Sequence, residues 1–290
     1  MNKPKLIVLI APPGAGKTTY ANGYTRHNPN TIYISSDSIR QCLYGSEETQ
    51  GDPAEVFGCM REGTVQTLHD GLSVVYDATN MTRRDRADII SACRNIAQIE
   101  AHVIWAPIET CIERDANRDR TVGKAVIDKM LKRFQAPWRD EGFVDIKVIM
   151  PKNFDMVDYM LCCWNNMNIS HDNPHHTFGV QDHCRAAYRW ACEHSMSEDI
   201  IWAAKWHDVG KPYTKAFVDG KGNPCETAHY YQHHCVGAWM AYGLYDCTPW
   251  RSWLISTHMD TFLNTRYYKN MNPILKMHID DLHNCDLNAH

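Results

Sequence analysis

The sequence has no apolar run of the roughly 20 residues that a membrane-spanning helix needs, which excludes such a helix. Its opening, MNKPKLIVLIAPPG, holds about six apolar residues in a row, too few for a signal-peptide core. A basic excess is missing as well: 30 Lys and Arg against 34 Asp and Glu leave a net charge of −4. No global field therefore tracks long nucleic acid, and a nucleic-acid partner would need a local basic pocket that holds a short stretch or an end. The 12 cysteines have no CxxC…CxxC frame, which argues against a thiolate metal site. Without a secretory signal, reduced thiols in a cytoplasm are the expectation. There is no internal repeat and no low-complexity tract. Histidine is scarce in the first 170 residues, where only His27, His69 and His102 occur; the other 13 of the 16 lie between His171 and His290.

That asymmetry, in a chain of 290 residues with 44% hydrophobic content, predicts two domains with different chemistry. Asn-rich, Pro-punctuated sequence follows residue 150. We therefore expect a first domain over 1–150, a connecting segment over 151–171 and a second domain over 172–290.

LIVLI (6–10) reads as a buried parallel strand, APPGAGKTT (11–19) as a glycine loop, and YANGYTRH (20–27) as helix. Strand, loop and helix in this order are the context of a phosphate-binding loop. Ala11 stands at the first glycine of GxxxxGK[ST]. Gly14, Ala15, Gly16, Lys17, Thr18 and Thr19 remain to cradle the phosphates of ATP or another nucleoside triphosphate. Lys17 would reach the β- and γ-phosphates and Thr18 would hold Mg²⁺. TIYISSDSIRQCL (31–43) and SVVYDATNMTRRDRADII (73–90) repeat the strand-to-helix design, and AHVIWAPIE (101–109) reads as a further strand. Asp37, Arg40 and Asp77 fall at carboxyl ends of strands, where open α/β sheets bind ligands. Arg114, Arg118 and Arg120 precede an amphipathic helix and could close over a triphosphate, although the interleaved Asp115 and Asp119 fit a solvated face.

PGAGKTT, SSDSIR, YDATN, the RxxNRxR stretch and QAPWRDEGF (135–143) resemble the P-loop polynucleotide kinase family, which phosphorylates 5′-hydroxyl ends of RNA or DNA. The resemblance covers residues 5–150 and implies a parallel sheet with helices on both faces. It also implies roles: Lys17 and Thr18 on donor phosphates and Mg²⁺, Asp37 as general base, Arg40 on the phosphate next to the acceptor hydroxyl, Asp77 supporting metal and acceptor, and Arg118 and Arg120 in a lid. Ala11, and Gly123-Lys124 where the family often has Val-Pro, are departures.

From about residue 176 the pattern turns helical. His183 falls in one helical stretch, with His176 seven residues before it. His207-Asp208 ends the apolar helix 199–206, stopped by Gly210 and Pro212. His229, His233 and His234 fall in 228–244, His258 in 253–260, and His278, Asp280 and Asp281 in 274–286. One histidine alone is more often packed than ligating, but His and Asp on several helices have the composition of an N/O metal site suited to Mn²⁺, Ni²⁺, Co²⁺, Fe²⁺ or Zn²⁺. HDVGKPYTKAF…HYYQHHCVGAWMA…ISTHMD resembles the HD-superfamily phosphohydrolases, an all-α domain, over residues 172–286. The resemblance implies His183, His207, Asp208 and Asp281 as ligands, Asp281 being chosen over Asp280 by spacing. His233 and His258 would allow a second ion, and Lys211 would be an electrostatic or acid group near the phosphate. His175, His229, His234 and His278 are off its pattern.

Together these readings imply a bifunctional end-healing enzyme. It would phosphorylate 5′-OH ends and remove 2′,3′-cyclic, 2′- or 3′-phosphates from RNA, with DNA an open alternative and a nucleic-acid ligase acting downstream. A second reading keeps the chemistry and changes the substrate: a nucleoside or nucleotide kinase fused to a nucleotide or signalling-nucleotide phosphohydrolase. A third is an ATP-gated binding protein with a degenerate metal site.

Overall fold

A computed structural model describes residues 3–173 and 177–289. The chain divides into two compact units, Met1–Met130 with Pro137–Pro151, and Leu131–Ala136 with Lys152–His290. His175 and His176 lie outside the described residues. No helix among the described residues is long and apolar enough to cross a membrane.

The first unit alternates strand and helix: β1 (Lys5–Ile10), α1 (Lys17–His27), β2 (Thr31–Ser35), α2 (Ser36–Tyr44), α3 (Pro53–His69), β3 (Ser73–Asp77), α4 (Arg83–Cys93), β4 (Gln98–Ile104), α5 (Ile108–Ala116), α6 (Lys124–Leu131) and β5 (Asp145–Ile149). The strands form one five-stranded sheet in the order β2-β3-β1-β4-β5, every pair parallel. β1 is the central strand and Leu6 through Ile10 are fully buried, which is why it reads as an unbroken apolar run. The chain leaves β1 toward β2 on one side and later returns to β4 on the other. The loop after β1 therefore sits at the topological switch point, where such sheets bind ligands. The strand expected at 101–109 is shorter at its end: β4 stops at Ile104 and α5 begins at Ile108. Glu141 of the QAPWRDEGF stretch is structural: it takes both Nε and Nη2 of the fully buried Arg86, at 2.7 and 2.8 Å.

The second unit contains α7 (Met156–Asn166), α8 (Val180–Glu193), α9 (Glu198–Trp206), α10 (Lys211–Thr214), β6 (Ala216–Val218), β7 (Pro224–His229), α11 (His233–Ala241), α12 (Pro249–Thr257), α13 (Asp260–Leu263), α14 (Arg266–Lys269) and α15 (Pro273–Leu287). The all-α expectation needs correction, because β6 and β7 pair as an antiparallel hairpin. Its turn is built by Asp219, whose carboxylate accepts from the backbone of Lys221 and Asn223, with Gly222 at φ +87°. The stretch 228–244, read as helical throughout, finishes β7 before α11 starts. Helices α8, α9, α11, α12 and α15 pack on one another and carry the core of this unit. All 12 cysteines are free.

Candidate functional site

Two glycines shape the loop after β1. Gly14 has φ +77°, and a Cβ there would lie 2.1 Å from the Cys111 carbonyl oxygen. Gly16 has φ +105° and caps α1 at its N-terminus. The loop thus turns its N–H groups, and the positive end of α1, toward a pocket of about 580 Å³. Gly14, Gly16, Lys17, Thr18, Thr19, Asp37, Arg40, Asp77, Arg114, Arg118 and Arg120 all line it. Ala15 is buried and does not line it.

Lys17 Nζ donates to the loop's own carbonyls, Ala11 at 3.0 Å and Pro12 at 3.2 Å. Burial lowers its pKa, and Asp77 and Asp37 pull the other way. Asp77, at the end of β3, is 6% exposed. Burial raises its pKa, while Lys17 and a hydrogen bond from the Tyr33 hydroxyl, 2.6 Å from Oδ2, oppose the rise. Asp37 opens α2, and Arg40 follows one turn later, so Arg40 Nη1 reaches Asp37 Oδ1 at 2.9 Å. Arg120 Nη1 stands 3.5 Å from the same oxygen. Arg40 Nε is buried with no hydrogen-bond partner. Asp115 is not a solvated partner of the arginines. It is 1% exposed and accepts from Thr121 Oγ1 at 2.8 Å, Val122 N at 3.0 Å and Gly123 N at 2.8 Å. This clamps the base of the arm that presents Arg118 and Arg120.

The second unit brings a different set together. His183 comes from α8, His207 and Asp208 from the turn after α9, His233 from the start of α11 and His258 from the end of α12, all buried. His207 Nε2 lies 3.3 Å from His183 Nε2, and His233 Nε2 lies 3.2 Å from His258 Nε2. Asp208 joins the two pairs, with Oδ2 3.3 Å from His207 and Oδ1 3.2 Å from His233. The outer nitrogens are fixed: Nδ1 of His207, His233 and His258 donates to the carbonyls of Ala204 (2.9 Å), Tyr230 (3.0 Å) and Ile255 (2.8 Å). A carbonyl can only accept, so in the neutral form of each of these three rings the Nε2 lone pair points inward. Lone pairs this close repel unless a proton or a metal cation lies between them. Two ligand atoms, each about 2.1 Å from one ion, stand about 3.0–3.4 Å apart at tetrahedral to octahedral angles, so the spacings fit a metal. His183, His207 and Asp208 could hold one ion, and Asp208, His233 and His258 a second.

The carboxylate that the structure brings to the first set is that of Asp286, not Asp281. Asp286 Oδ1 lies 2.8 Å from His183 Nε2 and 3.4 Å from His207 Nε2. Asp281 instead sits beside His278 and Asp280, and Asp280 accepts from the Tyr268 hydroxyl. The signal was in the periodicity. The buried stripe of α15 runs through Ile279, Leu282 and Cys285. At 100° per residue Asp286 falls about 20° from Ile279, and Asp281 about 160° from it. His171 also escaped notice. It is buried, its Nδ1 donates to the Phe178 carbonyl at 2.6 Å, and its Nε2 faces Lys211 Nζ at 3.1 Å. Lys211 Nζ is in turn 2.7 Å from Asp208 Oδ2. Burial would raise the Asp208 pKa, but His207 and Lys211 outweigh it and hold the carboxylate well below its usual range. His229 stacks on Tyr231 and His278 packs edge-on against Trp250, so neither joins the cluster. The ring of His234 lies 5.7 Å from that of His233.

Residues 6–137 match the family model described as an AAA domain. A curated relative, "Transcription factor bHLH140" of Arabidopsis thaliana, is 29% identical over 150 residues, covering 49% of this chain and 15% of that protein. Among solved structures, a chain of the Pnkp1/Rnl/Hen1 RNA repair complex is 23% identical, with 46% of this chain and 44% of that one covered and a TM-score of 0.42. A fungal RNA kinase is 21% identical, with 51% and 74% covered and a TM-score of 0.39. A gluconokinase from Sinorhizobium meliloti 1021 is 14% identical, with 53% and 86% covered and a TM-score of 0.38. The chain thus spans a small fraction of the curated relative and under half of the repair-complex chain. Apart from residues 131–136 the family match falls on the first unit, whose parallel sheet, glycine loop and lysine are those of a P-loop domain.

Proposed function

We propose that the chain heals nucleic-acid ends, with an ATP-dependent 5′-hydroxyl kinase in the first unit and a metal-dependent phosphoesterase in the second. The reading rests chiefly on the Asp37–Arg40 pair, which lines the phosphate pocket and leaves Arg40 Nε without a partner. An acceptor with an internal phosphate beside its hydroxyl satisfies both groups, and a free nucleoside does not.

In the transfer step Asp37 takes the proton of the 5′-hydroxyl as its oxygen bonds to the γ-phosphorus and the bond to ADP breaks. Lys17 and the loop N–H groups carry the donor phosphates, and Arg118 and Arg120 neutralise charge on the transferring group. Thr18 and Asp77 would hold Mg²⁺, which would offset the negative charge of the donor phosphates.

In the second unit His183, His207, Asp208 and Asp286 would hold one transition-metal ion, and Asp208, His233 and His258 another. Bound metal lowers the pKa of a water and polarises a phosphoryl oxygen. Lys211, held against Asp208, offers an ammonium to the phosphate or a proton to its leaving oxygen. The product, with a 5′-phosphate and free 2′- and 3′-hydroxyls, is what a ligase consumes, so a ligase is the partner class we assign.

The test is a short RNA bearing a 5′-OH and a 2′,3′-cyclic phosphate, incubated with ATP, Mg²⁺ and Mn²⁺ or Ni²⁺ and read by mass spectrometry. We expect phosphate gained at the 5′ end, lost in Lys17→Ala, and phosphate removed at the 3′ end, lost in Asp208→Ala. An unchanged oligonucleotide alongside turnover of free nucleosides or nucleotides would instead establish the small-molecule reading.

A further inference from the structure

The phosphate pocket has two sides. One is the loop after β1 with the arm carrying Arg114, Arg118 and Arg120. The other is α2 with the turn into α3, which contributes Asp37, Arg40, Gln50 and Phe57. If the first side holds the triphosphate, the second receives the acceptor. Phe57 is out of place there as a structural residue. The buried face of α3 runs through Val56, Met60, Thr64 and Leu68, and Phe57 is turned 100° away from Val56. It lines the pocket and is 38% exposed.

Its position is built. The Tyr44 hydroxyl at the end of α2 donates to Glu55 Oε2 at 2.6 Å and accepts from Asp52 N at 3.1 Å. Gly51, at φ +57°, lies against the Tyr44 ring, where a Cβ would come within 2.0 Å of Cε2. Asp52 caps α3 by accepting from Ala54 N at 2.9 Å. The turn is thus tied to α2, and Phe57 is held on the same pocket wall as Arg40.

We propose that Phe57 is the platform on which the acceptor's terminal nucleobase stacks, with the adjoining phosphate on Arg40 and the 5′-hydroxyl on Asp37. This rests on the kinase reading above and narrows it. The acceptor then carries a flat aromatic base, and a sugar acid or other acceptor without one makes no use of the ring. Stacking on an aromatic side chain tolerates any base, so the site selects a nucleotide end without selecting its sequence.

The test uses the full chain and two 5′-OH oligonucleotides, one natural and one with an abasic tetrahydrofuran 5′ residue. Base–aromatic stacking is worth about a 5- to 100-fold change in affinity. We expect wild type to show a KM higher by that factor for the abasic end. Phe57→Ala should raise the KM of the natural end to the abasic level, with the KM for ATP unchanged, and Phe57→Trp should restore the preference. A wild type that phosphorylates both ends with equal KM, or a Phe57→Ala enzyme that keeps the preference, overturns this inference and leaves the kinase reading standing. A wild type that phosphorylates neither oligonucleotide overturns both.

Discussion

Replacing Asp286 by Ala, with Asp281→Ala as its companion, separates two assignments that differ by five residues on one helix. Asp286 Oδ1 stands 2.8 Å from His183 Nε2 and 3.4 Å from His207 Nε2, whereas Asp281 faces His278 and Asp280. Losing even a group that only orients a ligand costs about 10- to 100-fold in metal affinity, so losing the Asp286 carboxylate should cost at least about 100-fold. Mass action turns this into stability. Metal supplied at about 1,000 times the wild-type Kd stabilises the unit by about 4.1 kcal/mol, and at 100-fold weaker affinity the same metal gives about 1.4 kcal/mol, a loss of about 2.7 kcal/mol. Two measurements read it without reference to turnover: metal retained per chain after dialysis against a weak chelator, and the metal-induced shift in urea midpoint for the second unit. Asp281→Ala should match wild type in both. Metal retention by Asp286→Ala together with loss in Asp281→Ala would refute the assignment.

Three other outcomes are expected. If the proposed function holds, Lys17→Ala should cut 5′-phosphorylation by at least about 1,000-fold, since the loop lysine would then neutralise charge on the transferring phosphates, and leave phosphate removal at the 3′ end unchanged. Gly210→Ala should destabilise the second unit by about 3 kcal/mol or more, because its Cβ would lie 2.2 Å from the His233 carbonyl oxygen and 2.6 Å from Gly237 N. Gly237→Ala, whose Cβ meets its nearest neighbour at 3.2 Å, should cost clearly less in the same urea titration. In the first unit, burial would raise the Glu100 pKa, but hydrogen bonds from Lys147, Lys5 and His102 outweigh it and hold it at about 2. A depressed carboxylate contributes stability above its unfolded pKa, ordinarily about 4.3, and that contribution is lost as pH falls through 2. Glu100→Gln should therefore flatten the acid limb of the first unit's stability profile, read by urea midpoints between about pH 5 and pH 2.

What the sequence determined by itself is local and contiguous. The phosphate loop is the continuous stretch 11–19 after a buried strand, and its conformation depends on Gly14, Gly16 and the start of α1, all within that stretch. That Asp37, Arg40 and Asp77 line the pocket was legible for the same reason, because the carboxyl end of a parallel strand is a position any βα unit reveals. That His183, His207, His233 and His258 gather with Asp208 was legible as an expectation, since histidines on several separate helical stretches exceed what packing needs. Tertiary structure decided which side chains meet. Asp286 was chosen over Asp281 by the face that α15 turns toward α8 and α9, and that face is set by burying Ile279, Leu282 and Cys285. Lys211 was placed between Asp208 and His171, a pairing across 40 residues that no spacing encodes. Asp115 looked like a surface charge among arginines and became a buried clamp once the arm folded back on it. Phe57 lines the pocket because α3 packs through Val56, Met60 and Leu68 instead. A linear pattern carries the conformation of neighbours along the chain. The meeting of distant side chains depends on the rotation and register with which whole helices bury their apolar faces, and those are settled by packing.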